Sequence, residues 1–124
     1  MADAEAKVLI VEDDLLSLQY YSFIFDGKYE ICMVPTVEDA KQALAEHSFK
    51  VAIVDISLPG GKSGIDLIKN ITQELAGKPP PIVVTALAFP EIRLEALEAG
   101  AAEFFTKPIM SDVLLDAVEK YLKL

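Results

Sequence analysis

Short apolar runs alternate along the chain with longer segments of helical spacing. Three runs are rich in Val and Ile, cover residues 8–11, 51–54 and 82–84, and stop at acidic or hydroxyl residues. Runs that are apolar at every position are typical of strands covered on both faces, as in parallel sheets. Residues 29–34 and 102–106 are weaker candidates. The pattern therefore predicts five strands.

Capping signals mark several of the intervening helices. Residues 36–39 (Thr-Val-Glu-Asp) resemble a capping box ahead of an apolar stripe. Pro90 suits a first helical turn, and Gly100 is expected to stop the same helix. Ser111 is expected to cap the last helix. The apolar residues expected on one side of that helix are Val113, Leu114, Ala117, Val118, Tyr121 and Leu122.

Three further segments are interpreted by position and composition. A helix is predicted after Gly64, and its apolar stripe consists of Ile65, Leu67, Ile68, Ile71 and Leu75. Residues 15–25 are predicted to be helical more from their place between two strands than from a clean apolar face. Residues 78–81 (Lys-Pro-Pro-Pro) are expected to form a stiff connector, excluded from regular helix and from a central strand.

The order strand–helix, repeated five times, predicts an α/β fold. Right-handed crossovers then give a single doubly wound, five-stranded parallel sheet with helices on both faces. A length of 124 residues suits one domain, so residues 1–124 are expected to form a single unit with its core at about 7–122. In such sheets, ligands bind beyond the carboxyl ends of the strands.

Composition and charge exclude several classes of function. A net charge of -9 disfavours nucleic acid or an anionic membrane as a direct partner. No apolar run reaches a membrane span, and residues 1–7 lack the features of a signal peptide, so a cytoplasmic location is expected. Cys32 is the only cysteine, which excludes an internal disulfide and a Cys-based zinc site, and it is expected to be a small buried residue. His47, the only histidine, is expected at the surface.

Polar residues that could bind a ligand or take part in a reaction follow the predicted strands at their carboxyl ends. Two carboxylates about 4 Å apart repel by roughly 4 kcal/mol at an effective dielectric of 20, so their convergence requires a cation or a proton. A set of oxygen ligands without imidazole or thiolate favours a hard ion such as Mg²⁺, which is usually completed by a phosphate oxygen. The residues at this edge are Glu12, Asp13, Asp14, Asp55, Thr85 and Lys107.

Each of these residues also has an ordinary structural explanation when taken alone. Acids before a helix are favoured by capping and by the helix dipole. Asp55 could cap the loop that follows it, Thr85 could be a strand-end threonine, and Lys107 could be a solvated lysine. Their placement at one edge under one topology favours a shared site.

Four segments resemble the receiver domain of two-component response regulators, the phosphoacceptor module of bacterial signalling. They are residues 8–14 (VLIVEDD), 54–60 (VDISLPG), 84–86 (VTA) and 105–108 (FTKP), in the order and near the spacing of that family. The resemblance runs from about residue 7 to residue 122. It implies a flavodoxin-like sheet of order 2-1-3-4-5.

The resemblance also implies a role for each site residue. Asp55 is the implied phosphoacceptor, which takes a phosphoryl group from a sensor histidine kinase or a histidine phosphotransfer protein and forms an acyl phosphate. The implied ligands of Mg²⁺, or of Mn²⁺, are Glu12, Asp13, Asp55 and the backbone carbonyl of Ser57. Asp14 falls outside the acidic pair and is expected to cap the first helix.

Lys107 and Thr85 complete the implied switch. Lys107 offsets charge on the phosphoryl oxygens, Thr85 donates its hydroxyl to them, and Phe104 is the aromatic residue that turns inward when the threonine moves. The bond between Lys107 and Pro108 is often cis in the family. The implied readout is a changed surface at residues 90–123, which binds a downstream protein target or a fused output domain. Such a domain takes part in its own phosphorylation and dephosphorylation but has no separate substrate.

The chain departs from the family pattern in two places. One extra residue lies between Pro59 and Gly64, in a loop made pliable by two glycines. Leu87, two residues after Thr85, and Ser57, two residues after Asp55, occupy positions that tune the lifetime of the phosphoryl group in the family. Apolar Leu87 is predicted to offer no polar group that orients a hydrolytic water. No output domain follows Leu124, so a stand-alone receiver or one cut from a larger protein is expected.

Three other functions compete with the phosphoacceptor hypothesis. A phosphohydrolase of the haloacid dehalogenase type needs a second carboxylate two residues after the first, where this chain has Ser57. In a flavin-binding domain, Glu12, Asp13 and Asp14 would repel the cofactor phosphate. A docking module that is never phosphorylated remains the serious alternative, although docking does not require this set of residues.

Overall fold

The structure is a computed structural model in which residues 7–123 are described. The strands are β1 (Lys7–Val11), β2 (Glu30–Val34), β3 (Val51–Val54), β4 (Pro81–Thr85) and β5 (Glu103–Thr106). The helices are α1 (Leu15–Phe25), α2 (Val37–Glu46), α3 (Gly64–Glu74), α4 (Pro90–Ala99) and α5 (Ser111–Leu122). Five strands alternating with five helices were predicted, and this is confirmed. The acidic segment at residues 1–6 and the chain end at Leu124 lie outside the described residues.

All four strand pairs of the sheet are parallel, and their order is β2-β1-β3-β4-β5. This confirms the doubly wound fold and the order that the resemblance implied. The inner strands β1, β3 and β4 are covered on both faces, and β3 is buried along its whole length. A continuous run of Val and Ile is the expected composition of such strands.

Alternate residues of β1 pack in different clusters of the core, because successive side chains point to opposite faces of a sheet. Val8 and Ile10 of β1 pack with residues of α1 and α5. Leu9 and Val11 of the same strand pack with residues of α2 and α3. The two faces therefore hold all five strand ends in a fixed arrangement. None of the helices described between residues 7 and 123 is both long and apolar enough to cross a bilayer.

The exclusion of residues 78–81 from a central strand was wrong at Pro81. Pro81 is the first residue of β4, which lies between β3 and β5, and it is in register with Ala52. Its carbonyl accepts a hydrogen bond from Ala102 N–H at 2.8 Å. A strand tolerates proline as its first residue, where the missing N–H does not interrupt the ladder.

The predicted cap of α5 was also wrong. Met110 is the N-cap residue, and its carbonyl accepts a hydrogen bond from Leu114 N–H at 3.1 Å, so Ser111 already lies in the first turn. Val113 is exposed, and Leu115 packs against the core instead. For α2, by contrast, the Thr36 hydroxyl caps the helix by accepting from Asp39 N–H at 3.1 Å.

Smaller departures follow from the position of each element. Leu75 is the C-cap residue of α3 and is exposed, so it is not part of the buried stripe. Cys32 is half-buried because β2 is an edge strand. His47 follows the end of α2 and is exposed, as predicted.

Gly64 is the point at which α3 approaches the loop after β3 most closely. Its N–H donates to the Ile56 carbonyl at 2.9 Å, and a Cβ at this position would meet the Asp55 carbonyl and lie 2.9 Å from Ile56 Cα. Both neighbours are backbone atoms, which cannot rotate away. Only glycine therefore allows α3 to begin where it does.

Gly64→Ala is expected to lower the free energy of unfolding by about 1–3 kcal/mol, because the added methyl group overpacks a rigid backbone contact. Urea denaturation measures this change. Gln73→Ala, on the exposed face of the same helix, is the matched control and should alter stability by less than about 0.5 kcal/mol. Equal stabilities for the two variants would contradict the close approach.

Candidate functional site

The residues that follow the strands are anchored by the sheet itself. Glu12 N–H donates to the Val34 carbonyl at 3.0 Å, so the ladder with β2 extends one residue beyond β1. In the same way, Asp55 N–H donates to the Val11 carbonyl at 3.0 Å, and Lys107 N–H donates to the Thr85 carbonyl at 2.8 Å. The backbones of these residues are therefore fixed to neighbouring strands, and only their side chains remain to be arranged.

One ammonium group joins two buried carboxylates at this edge. Lys107 Nζ lies 2.7 Å from Glu12 Oε1 and 3.0 Å from Asp55 Oδ2. The side chain of Glu12 is 1% exposed, that of Asp55 is 8% exposed, and that of Lys107 is 21% exposed. Charged groups this deeply buried need partners, and Lys107 supplies one to both acids.

The second oxygen of each carboxylate is held by the backbone. Glu12 Oε2 accepts from Asp13 N–H at 3.1 Å and from Asp14 N–H at 3.0 Å. Asp55 Oδ1 accepts from Ser57 N–H at 3.2 Å. Both acids are therefore oriented by hydrogen bonds on each side, which reduces the reorganisation needed for chemistry at this position.

Burial dominates the electrostatics of Glu12. Loss of water raises the pKa of Glu12, and the charge of Asp55 raises it further. The hydrogen bonds from Lys107 and from Asp14 N–H lower it. The pKa of Glu12 nevertheless lies above its ordinary value. Burial lowers the pKa of Lys107, but its bonds to Glu12 and Asp55 outweigh that effect and raise it. Lys107 therefore stays charged.

The other two acids of the first loop are placed differently. Asp14 is the N-cap residue of α1, where its carboxylate accepts from Ser17 N–H at 3.0 Å and from Ser17 Oγ at 2.9 Å. These bonds lower the pKa of Asp14. Asp13 is exposed. Glu12 and Asp55 thus contact Lys107, whereas Asp13 and Asp14 do not. Between residues 7 and 123, no three His, Cys, Asp or Glu side chains are grouped to hold a metal ion.

Thr85 and Phe104 lie on neighbouring strands behind the carboxylates. Thr85 is fully buried, and its Oγ1 accepts from Leu87 N–H at 3.3 Å. Phe104 is 8% exposed and packs in a cluster that contains Ala96 and Leu87. The threonine hydroxyl and the aromatic ring are thus connected through the Leu87 segment. The Lys107–Pro108 peptide bond is cis, as the resemblance implied.

Two residues near the site were missed by sequence reasoning. Tyr21 of α1 is almost fully buried, and burial, together with the charges of Glu12 and Asp55, raises its pKa. The Arg93 guanidinium of α4 lies over the Phe104 ring, 5.8 Å from its centre. A tyrosine in an apolar helix that follows an acidic cluster is a usable signal for the first residue. No local pattern signals the second.

The loop between Asp55 and α3 is built around glycine. Gly60 has a φ of +94° and Gly61 has a φ of +86°, a region that other residues rarely adopt. The extra residue noted in the sequence lies in this loop. The loop therefore turns sharply between β3 and α3.

Lys107→Gln is expected to lower the free energy of unfolding by about 3 kcal/mol near neutral pH, because two buried carboxylates lose their shared cation. The pKa of Glu12, already raised, rises further in this variant. The folded variant then binds a proton at Glu12 at a higher pH than the unfolded chain does, which favours the folded state as the pH falls. The loss in free energy of unfolding relative to the wild type therefore becomes smaller as the pH falls toward the ordinary glutamate pKa. Urea denaturation across that pH interval measures it.

Lys120→Gln provides the matched control, because Lys120 pairs with Glu103 at 3.0 Å on the surface. Its expected cost is below about 1 kcal/mol. A Lys107→Gln deficit that is equally small, or one that does not change with pH, would contradict the shared role of this ammonium.

Comparison with known proteins identifies the family. The model of the response regulator receiver domain family matches residues 8–119. The two-component response regulator PhoP of Pseudomonas aeruginosa is 34% identical over 110 residues, which cover 87% of this chain and 48% of PhoP. The chain thus spans about half the length of this curated relative.

Solved structures agree with this assignment. A CheY-like receiver domain protein from Methanospirillum hungatei JF-1 superposes with a TM-score of 0.86 at 29% identity and covers 96% of this chain and 94% of that one. The BeF3-activated receiver domain of DrrB gives a TM-score of 0.86 at 29% identity, with 97% and 99% covered. With its sheet order and a family match over most of its length, the chain belongs to the response regulator receiver domain family.

Proposed function

We propose that this chain is a phosphoacceptor signalling switch in which Asp55 receives a phosphoryl group from a phosphohistidine donor. The observation that carries the proposal is the buried Asp55 carboxylate, held 3.0 Å from the Lys107 ammonium at the carboxyl edge of the sheet. Membership of the receiver family supports it. The proposed unit is a single receiver domain with its core at about residues 7–122.

The proposed reaction needs little covalent chemistry from the protein. A carboxylate oxygen of Asp55 forms a bond to phosphorus as the P–N bond of the phosphohistidine breaks, and the imidazole leaves. Asp55 is already oriented by Ser57 N–H and Lys107, so the main contributions are positioning and charge. Lys107 offsets charge on the incoming phosphoryl oxygens. The chain has no separate substrate in this scheme.

The donor set fits a hard divalent cation such as Mg²⁺ or Mn²⁺. Three carboxylates and one ammonium at this edge leave a net charge of about -2, which a divalent ion would balance. The proposed ligands are Glu12, Asp13, Asp55 and the Ser57 carbonyl. Within residues 7–123 the exposed Asp13 carboxylate has no hydrogen-bond partner, so it is available to a metal. When bound, the ion supplies positive charge to the phosphoryl oxygens.

The switch is proposed to run through Thr85. Its hydroxyl accepts a hydrogen bond from Leu87 N–H in this structure, and a new phosphoryl group on Asp55 offers it an acceptor instead. Movement of Thr85 would release the Leu87 segment, which packs with Phe104. The two arrangements then differ in the hydrogen bond of one buried threonine and in the packing of one ring.

The surface of α4, β5 and α5 is the proposed readout. Leu94 of α4 is 58% exposed and Val113 of α5 is 41% exposed, so both helices present apolar residues to solvent. The proposed partners are a sensor histidine kinase or a histidine phosphotransfer protein on the donor side, and a downstream protein or a fused output domain on the other.

Incubation with acetyl phosphate and Mg²⁺ is expected to add one phosphoryl group to the wild-type chain and none to Asp55→Asn. Intact mass spectrometry measures the product. Asp26→Asn is the matched control, since Asp26 is an exposed acid at the end of α1, and it should be modified like the wild type. Omission of Mg²⁺ should slow the reaction.

Two outcomes would contradict this assignment. Modification of Asp55→Asn would move the acceptor to another residue. No modification of the folded wild-type chain, in the presence of bound metal, would favour a docking module that is never phosphorylated.

Leu87→Glu is expected to shorten the lifetime of the phosphoryl group by on the order of tenfold, because a carboxylate near the acceptor can orient a hydrolytic water. Leu87→Met keeps the side chain apolar and should leave the lifetime unchanged. Loss of phosphorylated mass with time measures both, and circular dichroism verifies the fold. Identical lifetimes for the two variants would show that this position does not control hydrolysis.

A further inference from the structure

A basic cavity lies at the amino edge of the sheet, opposite Asp55. The cavity has a volume of about 1020 Å³. Its walls come from the starts of β1, β3 and β4 and from the ends of α2, α3 and α5. We call it the amino-edge cavity, and the residues that decide its chemistry are Lys7, His47, Phe49, Lys50, Lys78 and Tyr121.

The charge of this cavity is opposite to that of the chain. Lys7, Lys50 and Lys78 line it together with the only histidine, and among residues 7–123 no acidic residue lines it, although the net charge of the chain is -9. Within residues 7–123, neither the Lys50 ammonium nor the Lys78 ammonium is paired with a carboxylate. Lys7 is 3.9 Å from Glu30 and 3.5 Å from His47 Nδ1.

The negative partial charges at the helix C-termini do not fully balance the positive charges of these lysines. Three helices end at this edge, and each contributes roughly -0.5 of an elementary charge at its last carbonyls, or about -1.5 in total. Lys7 is already paired with Glu30, so Lys50 and Lys78 remain, and their two charges exceed that sum by about half an elementary charge. Glu103, which reaches the hydroxyl of Tyr121 at 2.7 Å, is already paired with Lys120. A positive surplus therefore remains for an anion.

The remaining wall is apolar and aromatic. Phe49 is half-buried against the core beneath α2, and Leu44 and Leu75 also line the cavity. Pro79 and Pro80 form a stiff wall on the opposite side. The Tyr121 hydroxyl donates to Glu103, and the Lys120 ammonium lies over one face of the Tyr121 ring, 5.3 Å from its centre, so at most the other face is contact surface. Such a lining suits a flat apolar body better than a hydrated ion.

We propose that the amino-edge cavity binds an aromatic phosphate ester of nucleotide size. Ligand cavities usually measure about 300–1000 Å³, so this one is large enough for a nucleotide and far too large for inorganic phosphate alone. Lysines serve phosphate groups as point charges, and the aromatic residues supply a stacking surface for the ring of the ligand. The site lies at the edge opposite Asp55 and does not depend on phosphorylation there.

Titration of the ¹⁵N-labelled full chain with ATP, in EDTA to keep divalent ions away from Asp55, tests the proposal. Amide shifts are expected at Phe49, Gly77 and Tyr121 and not at Thr85. Lys50→Gln combined with Lys78→Gln should weaken the fitted Kd roughly tenfold or more. Adenosine, which lacks phosphate, should bind far more weakly than ATP, and inorganic phosphate should compete poorly.

The matched control is the pair Lys28→Gln and Lys69→Gln, which removes the same charge from exposed positions outside the cavity. It should leave the Kd within about twofold, since only distant charge is lost. The proposal is overturned if ATP moves no amide of the cavity, if both double variants weaken binding equally, or if adenosine or inorganic phosphate binds as tightly as ATP.

Discussion

The structure depends on one lysine that pairs with two buried carboxylates. Glu12 and Asp55 arrive at the same edge because the strands before them are neighbours in the sheet, and their backbones are fixed by ladder hydrogen bonds. Without Lys107 the two charges would repel each other in a poorly solvated site. With it, the trio carries a single negative charge. The site is thus stable as folded and still able to accept a further cation.

The correct strand predictions have a physical explanation, and so do the two wrong predictions at Pro81 and Ser111. Inner strands are buried on both faces, so residues 51–54 show an unbroken apolar run, whereas the edge strand β2 is partly exposed and gave a weaker signal. Pro81 was misjudged because the cost of its missing N–H depends on its place in the strand. Ser111 was misjudged as the cap because tertiary packing decides which residue begins the helix, and the observed N-cap, Met110, is only one residue away.

The sequence was enough to predict at which edge of the sheet the site lies, but not which side chains contact one another there. Topology brings the ends of the strands together, which is enough to select Glu12, Asp55 and Lys107. Topology does not determine which of the three consecutive acids caps α1 and which one contacts Lys107. Asp14 caps α1 and Glu12 turns toward Lys107, because each carboxylate follows the nearest free backbone N–H groups, and these depend on the turn that the loop makes.

The doubly wound fold also separates charge along the sheet. Helices begin at the carboxyl edge and end at the amino edge, so the dipoles favour acids at the first and lysines at the second. The five residues of β1 span about 17 Å between these edges. At that distance the direct interaction between an anion in the amino-edge cavity and a charge at Asp55 is roughly 1 kcal/mol at an effective dielectric of 20. Stronger coupling between the two edges would require displacement of the packed strands and helices.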